Sequence, residues 1–176
     1  MRFTPTPVEG AFVVDLEERR DDRGFFARVW CQQEFAARGL NARFVQCNSS
    51  FSRERGTLRG LHYQIDPYGE AKLIGCTRGR IFDVLVDLRP ASPTYLQSFA
   101  AELNEQNRSM VYVPEGCAHG YLTLADDSEV VYPVTGFYRP EAERGMRWND
   151  PAAAIAWPEA PRHVSPKDRA WPDYRR

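Results

Sequence analysis

The chain has 176 residues, with 23 basic and 24 acidic side chains giving a formal net charge of −1, and 43% of it is hydrophobic. That length and balance predict one folded domain over 1–176 with a sizeable core, not a disordered chain. The intermixed charges offer no broad basic field and so exclude nucleic acid as a partner. No stretch nears the roughly 20 apolar residues of a bilayer span, and the start MRFTPTPVEG lacks the apolar core of a signal peptide. These features predict no membrane association and a cytoplasmic location.

Short segments rich in β-branched and aromatic residues recur along the chain: AFVVDL, GFFARVW, ARFVQCNSSF, LRGLHYQI, AKLIGC, RIFDVLVDL, SMVYVP, GYLTL and SEVVYPV. Their density between turn signals predicts an all-β sandwich or barrel. In RIFDVLVDL the alternation puts Phe82, Val84, Val86 and Leu88 on a core face, and Asp83 and Asp87 on the other beside Ile81 and Leu85. Helical signal is confined to CQQEFAARG (Cys31–Gly39), about two turns ended by glycine, and a turn or two in NDPAAAIAW. The proline-bearing segment from Trp157 reads as a C-terminal arm laid over the barrel, with Trp157 and Trp171 packing it down. Four cysteines, Cys31, Cys47, Cys76 and Cys117, form no CxxC pair and read as buried free thiols.

Of the three histidines, His163 lies in the proline-flanked arm and reads as a surface residue. His62 and His119 fall in patterns similar to the two signatures of the cupin superfamily, small jelly-roll barrels with an internal site. Gly56 stands six residues before His62 with Glu70 and Gly79 beyond, and PEGCAH places Pro114, Gly116 and His119. A metal-binding cupin carries a second histidine where this chain has Gln64, although His62, Glu70 and His119 still compose a two-histidine, one-carboxylate set. Without a metal, a histidine in a barrel mouth suits a general base oriented by a carboxylate.

Seven blocks widen the resemblance: DDRGFF, QCNSSFSRERGTLRGLHYQ, EAKLIGCTRGRIFDVLVDLRPASPTY, VYVPEGCAHGYLTL, SEVVYPVTGFYRPE, RWNDPAAAIAWP and VSPKD. In this order, from Asp21 to Asp168, they resemble the dTDP-4-dehydrorhamnose 3,5-epimerase family. The resemblance implies a cupin-like jelly-roll β-barrel with short accessory helices and a C-terminal arm, assembled as a homodimer. It further implies a nucleotide-sugar substrate, no cofactor and no metal, and inversion of the two carbons flanking a 4-keto group.

Position by position, the resemblance implies His62 as the base, Asp168 as its paired carboxylate, Tyr132 as the proton donor on the opposite face, and Lys72 as the cation at the enolate oxygen. Arg59 and His119 lie close by in the family. Arg23, Phe26, Gln46, Asn48 and Arg59 fall where substrate is contacted, Tyr138 where an aromatic stacks on the base, and Glu143 at the same end. In a dimer, the N-terminal strands of one subunit help close the other's nucleotide site. Two positions depart from the family pattern: Arg28 replaces a glutamate, and Pro133 replaces the lysine that often follows the tyrosine and suggests an edge strand or bulge. The competing readings are an epimerase of a single centre or of another nucleotide-linked keto sugar, a metal-dependent cupin enzyme, and a noncatalytic sugar-nucleotide binder.

Overall fold

A computed structural model describes residues 1–175. The chain enters through β1 (Arg2–Pro5) and β2 (Phe12–Asp15), makes a projecting hairpin of β3 (Arg19–Asp21) and β4 (Gly24–Phe26), and then forms α1 (Gln32–Ala36). The body follows as β5 (Gln46–Ser52), β6 (Thr57–Gln64), β7 (Lys72–Arg78), β8 (Arg80–Asp87), β9 (Ser98–Asn104), β10 (Met110–Val113), β11 (Cys117–Thr123) and β12 (Ser128–Val134). The remainder carries β13 (Glu143–Gly145), β14 (His163–Val164) and α2 (Pro166–Arg169).

The strands make two main sheets, one ordered β1-β2-β10-β7-β12-β5 and the other β13-β6-β11-β8-β9, with β14 added in parallel to β6. This is the expected all-β jelly roll, in which the sheets stay two separate hydrogen-bonded ladders and do not close into one barrel. Between them, Ile74, Val111, Val113 and Val130 meet Ile81, Leu85, Leu103 and Cys117 in the central core. No helix among the described residues is long and apolar enough to cross a membrane.

Several sequence expectations need adjustment. Strand β8 is buried on both faces: Ile81 and Leu85 join the central core, while Val84, Val86 and Leu88 lie in a second cluster with Trp148, Ile155, Trp157 and Tyr174. The C-terminal arm supplies that cover, which a two-residue alternation cannot reveal. NDPAAAIAW forms turns, not helix, with Ala154 at a φ of 45°. GFFARVW is strand only over Gly24–Phe26. Of the thiols, Cys76 and Cys117 are buried, Cys31 is partly covered and Cys47 is exposed. Pro133 is not on an edge, since β12 runs between β7 and β5; the ladder to β7 passes from Val131 directly to Val134 and leaves Tyr132 and Pro133 unpaired on that side.

Strands β6 and β11 approach unusually closely beside the two histidines. Gly60 has a φ of 117°, open to glycine alone, and a Cβ on Gly120 would stand 2.6 Å from the Arg59 carbonyl oxygen. The register between the strands shifts at this crossing, between His119 and Tyr121. Gly120→Ala is expected to lower the unfolding free energy by at least about 2 kcal/mol in urea denaturation. A change below about 0.5 kcal/mol would show that the crossing widens freely.

Candidate active site

The close crossing sits at the floor of a cavity of about 630 Å³ lined by Arg59, His62, Lys72, His119, Tyr121, Tyr132 and, from the C-terminal segment, Arg162 to Arg169. An adjoining cavity of about 270 Å³ shares His62, Lys72 and Tyr132 and adds Gln46, Asn48, Glu70, Tyr138 and Glu143. Ten of the twelve site residues expected from the sequence therefore border one continuous region, with His62, Tyr132 and Lys72 at its waist. Arg23 and Phe26 do not: they sit on the β3–β4 hairpin, where Phe26 is 70% exposed.

His62 is brought to the cavity by β6, and α2 brings Asp168 to His62. Ser165 caps α2 by accepting from the Asp168 amide at 3.0 Å, and Pro166 follows at the first helical position. Thus anchored, Asp168 places Oδ1 2.5 Å from His62 Nε2, while Oδ2 faces the Gly60 amide at 3.5 Å. Burial is the largest influence on the Asp168 pKa and raises it. The hydrogen bond and charge of His62, with the Ser165 and Gly60 contacts, outweigh burial and leave it below the ordinary value. As an ionised acceptor it holds the hydrogen on Nε2, which leaves Nδ1 as the unprotonated nitrogen of the neutral ring.

Tyr132 projects from β12 and lines both cavities. Burial chiefly, then Tyr121 and Glu70, raise its pKa and keep the phenol protonated. Lys72 is buried with Nζ 3.3 Å from the His62 carbonyl oxygen and 3.4 Å from Glu70. At the nucleotide-facing end expected from the sequence, Tyr138 donates to Glu143 at 2.7 Å and Lys167 pairs with the same carboxylate at 2.5 Å. The Tyr138 pKa is raised, mainly by that hydrogen bond.

The alternative metal set does not assemble. His62 is engaged by Asp168, His119 by Asp83 at 2.7 Å, and Glu70 by Lys72. Gln64, where a cupin would place a ligand, donates to the Tyr68 and Phe137 carbonyls and accepts from the Arg139 amide at 2.7 Å, tying two loops together. Among the described residues no three His, Cys, Asp or Glu side chains stand where they share a metal-sized space. His163, read as a surface residue, pairs with Glu54 at the cavity rim.

Sequence reasoning missed Asp83, Lys167, Tyr121 and Trp171. Lys167 is the residue before Asp168 in VSPKD, and Trp171 seats its ring where a Cβ on Gly145 would be, with its centroid 6.5 Å from that of His62. Asp83 shares its strand face with Ile81 and Leu85, the face expected opposite the core, and the structure places those two residues in the central core.

A family model described as dTDP-4-dehydrorhamnose 3,5-epimerase matches residues 5–176. The chain belongs to the dTDP-4-dehydrorhamnose 3,5-epimerase family. It is 46% identical over 172 residues to the Pseudomonas aeruginosa dTDP-4-dehydrorhamnose 3,5-epimerase, covering 96% of this chain and 93% of that protein. The crystal structure of the Elizabethkingia anophelis epimerase of the same name superposes with a TM-score of 0.95 at 37% identity, covering 99% of this chain and 96% of that one. The Legionella pneumophila dTDP-6-deoxy-D-glucose-3,5-epimerase, solved in complex with dTDP-4-keto-L-rhamnose, gives a TM-score of 0.90 at 35% identity, covering 97% and 90%.

Because the Asp168 carboxyl is depressed below its ordinary value of 3.8, its contribution to stability is complete above that pH and lost as pH falls through the lower native value. Asp168→Asn is expected to be less stable than the parent at neutral pH by roughly 1.5–3 kcal/mol, the range for a charged hydrogen bond. Urea unfolding should show the gap closing below about pH 4. A gap of constant size down to about pH 2 would show that the carboxylate is not the acceptor.

Proposed function

We propose that this epimerase-family chain inverts C-3 and C-5 of a dTDP-linked 4-keto-6-deoxyhexose, converting dTDP-4-dehydro-6-deoxy-D-glucose to dTDP-4-dehydro-L-rhamnose. The observation that carries the reading is the His62–Asp168 pair facing the same narrow waist as a protonated Tyr132 and a buried Lys72. The bound keto sugar of the Legionella relative supports the substrate class.

Hydrogens on C-3 and C-5 are acidic only because the C-4 carbonyl accepts the electron pair. Nδ1 of His62 removes the proton, and the pair moves onto the C-4 oxygen as an enolate. The imidazolium that forms is stabilised by Asp168. Lys72, itself buried, meets the charge growing on the oxygen, where a preorganised cation is most effective. Tyr132 returns a proton to carbon from the opposite face and regains its own from solvent. Only protons move and no oxidation state changes, so we assign no cofactor. Arg59, Arg162, Lys167 and Arg169 make the cavity mouth cationic, which suits a diphosphate.

Arg23 and Phe26 enter this scheme through a homodimer. The hairpin carrying them projects from its own subunit with Phe25, Phe26 and Val29 exposed, and Phe137 and Tyr138 are exposed near the cavity. In the proposed assembly the hairpin of one copy reaches the nucleotide end of the other's site. The neighbouring departure, Arg28, is used within its own chain, where it pairs with Glu34 at 2.9 Å.

Incubation of the protein with the dTDP-4-keto-6-deoxyglucose substrate in heavy water, followed by NMR, tests the reading. Deuterium is expected at both C-3 and C-5. His62→Ala should slow entry at both carbons by roughly 10²–10⁴-fold, the usual worth of a general base. Tyr132→Phe should slow inversion more than exchange. Deuterium at one carbon alone would identify a single-centre epimerase, and unaltered exchange in His62→Ala would remove that residue as the base.

A further inference from the structure

Asp83 has no part in the scheme so far, yet it is among the most buried charged groups in the chain, at 1% exposure. The alternation of β8 turns it inward with Ile81 and Leu85, and its Cα pairs with that of Tyr121 across the β8–β11 ladder. Oδ1 lies 2.7 Å from His119 Nε2, whereas Oδ2 is buried with no hydrogen-bond partner among the described residues. A carboxylate sunk into a core and satisfied on one oxygen is a costly structural device, and an apolar side chain there serves stability at least as well. Its one partner, however, lines the main cavity and is the Cα partner of His62. The cavity is therefore lined by two histidines on neighbouring strands, each paired with a carboxylate, one from the C-terminal arm at the cavity wall and one from β8 behind it.

We propose that Asp83 is a positioning residue of the epimerisation, acting through His119, an inference that rests on the function proposed above. By accepting from Nε2 it fixes the rotation of the ring and makes Nδ1 the nitrogen offered to an oxygen of the bound 4-keto sugar. The ring lines the cavity and makes its side-chain hydrogen bond through Nε2, which leaves Nδ1 for a ligand. Tyr121 flanks that ring with centroids 6.5 Å apart, so packing limits its tilt while Asp83 sets its rotation. Without Asp83 the ring offers either nitrogen, the substrate still binds, and the reacting geometry degrades. The loss then falls on turnover more than on affinity.

Asp83→Asn keeps the volume but supplies an amide that no longer dictates which ring nitrogen bears the hydrogen. Relative to an active parent, it is expected to lower kcat at least roughly tenfold with KM within about twofold. His119→Gln should lower kcat too, and adding Asp83→Asn to it should cause no further loss, because the second residue acts through the first. An unchanged kcat in Asp83→Asn, or an undiminished loss on the His119→Gln background, overturns the proposal. Independently of any variant's folding, the ¹⁵N resonance of His119 Nδ1 in the parent should move when a dTDP-hexose lacking the 4-keto group binds, and an unmoved resonance at saturation also overturns it. A folded parent that does not turn over the dTDP 4-keto sugar removes the functional reading and this proposal with it, a result distinct from an active parent with an indifferent variant.

Discussion

The contact between His62 and Asp168 joins residues 106 positions apart, and much of the second half of the chain is arranged so that it forms. After β12 the chain lays β13 along β6, covers the outer face of the second sheet with Trp148 and Trp157, and returns as β14 in parallel register with Thr57 and Leu58. Only then does the Ser165 cap turn α2 so that Asp168 meets the imidazole. Closing so long a loop costs little more entropy than closing a short one, since the cost grows with the logarithm of length. What the architecture must supply is precision at the end of the arm, and it does so by burying aromatic side chains on both sides of the four-residue helix.

The same arm couples the two ends of the cavity. Lys167 reaches Glu143, which also accepts from Tyr138, while the next residue reaches His62. Adjacent positions on one short helix thus touch both the nucleotide end expected from the sequence and the proposed base. Trp171, two residues after the helix, packs its ring against Gly145 of β13. The glycine crossing, whose Gly60 amide faces Asp168, brings β6 and β11 together, so His62 and His119 are set by backbone approach as much as by side-chain packing.

The strands were readable because alternating β-branched and aromatic residues carry their own period, and the β8 pattern correctly separated Val84 and Val86 from Ile81 and Leu85. Which of those faces met water was not readable, because the cover comes from residues some seventy positions later. NDPAAAIAW looked helical by composition, yet the turns that follow Asp150 and the positive φ of Ala154 are set by packing against the sheet. For the site, bare chemistry singled out His62 and little more. Asp168, Tyr132 and Lys72 came from resemblance, since a serine–proline–lysine–aspartate run shows no local sign of its distant partner. Asp83 fell on the face that the alternation set opposite the core, so both its burial and its meaning needed the fold and the position of His119.

The measurement that bears most directly on this arrangement is the turnover of Asp168→Asn with the dTDP-4-keto sugar, in protein whose native fold is verified by near-ultraviolet circular dichroism. If the arm exists to hold the base in one tautomer and to stabilise its protonated form, kcat falls by roughly 10²–10⁴-fold while KM changes little. A variant that turns over within about twofold of the parent would contradict the arrangement, because His62 would then act without the partner that the C-terminal arm is built to deliver.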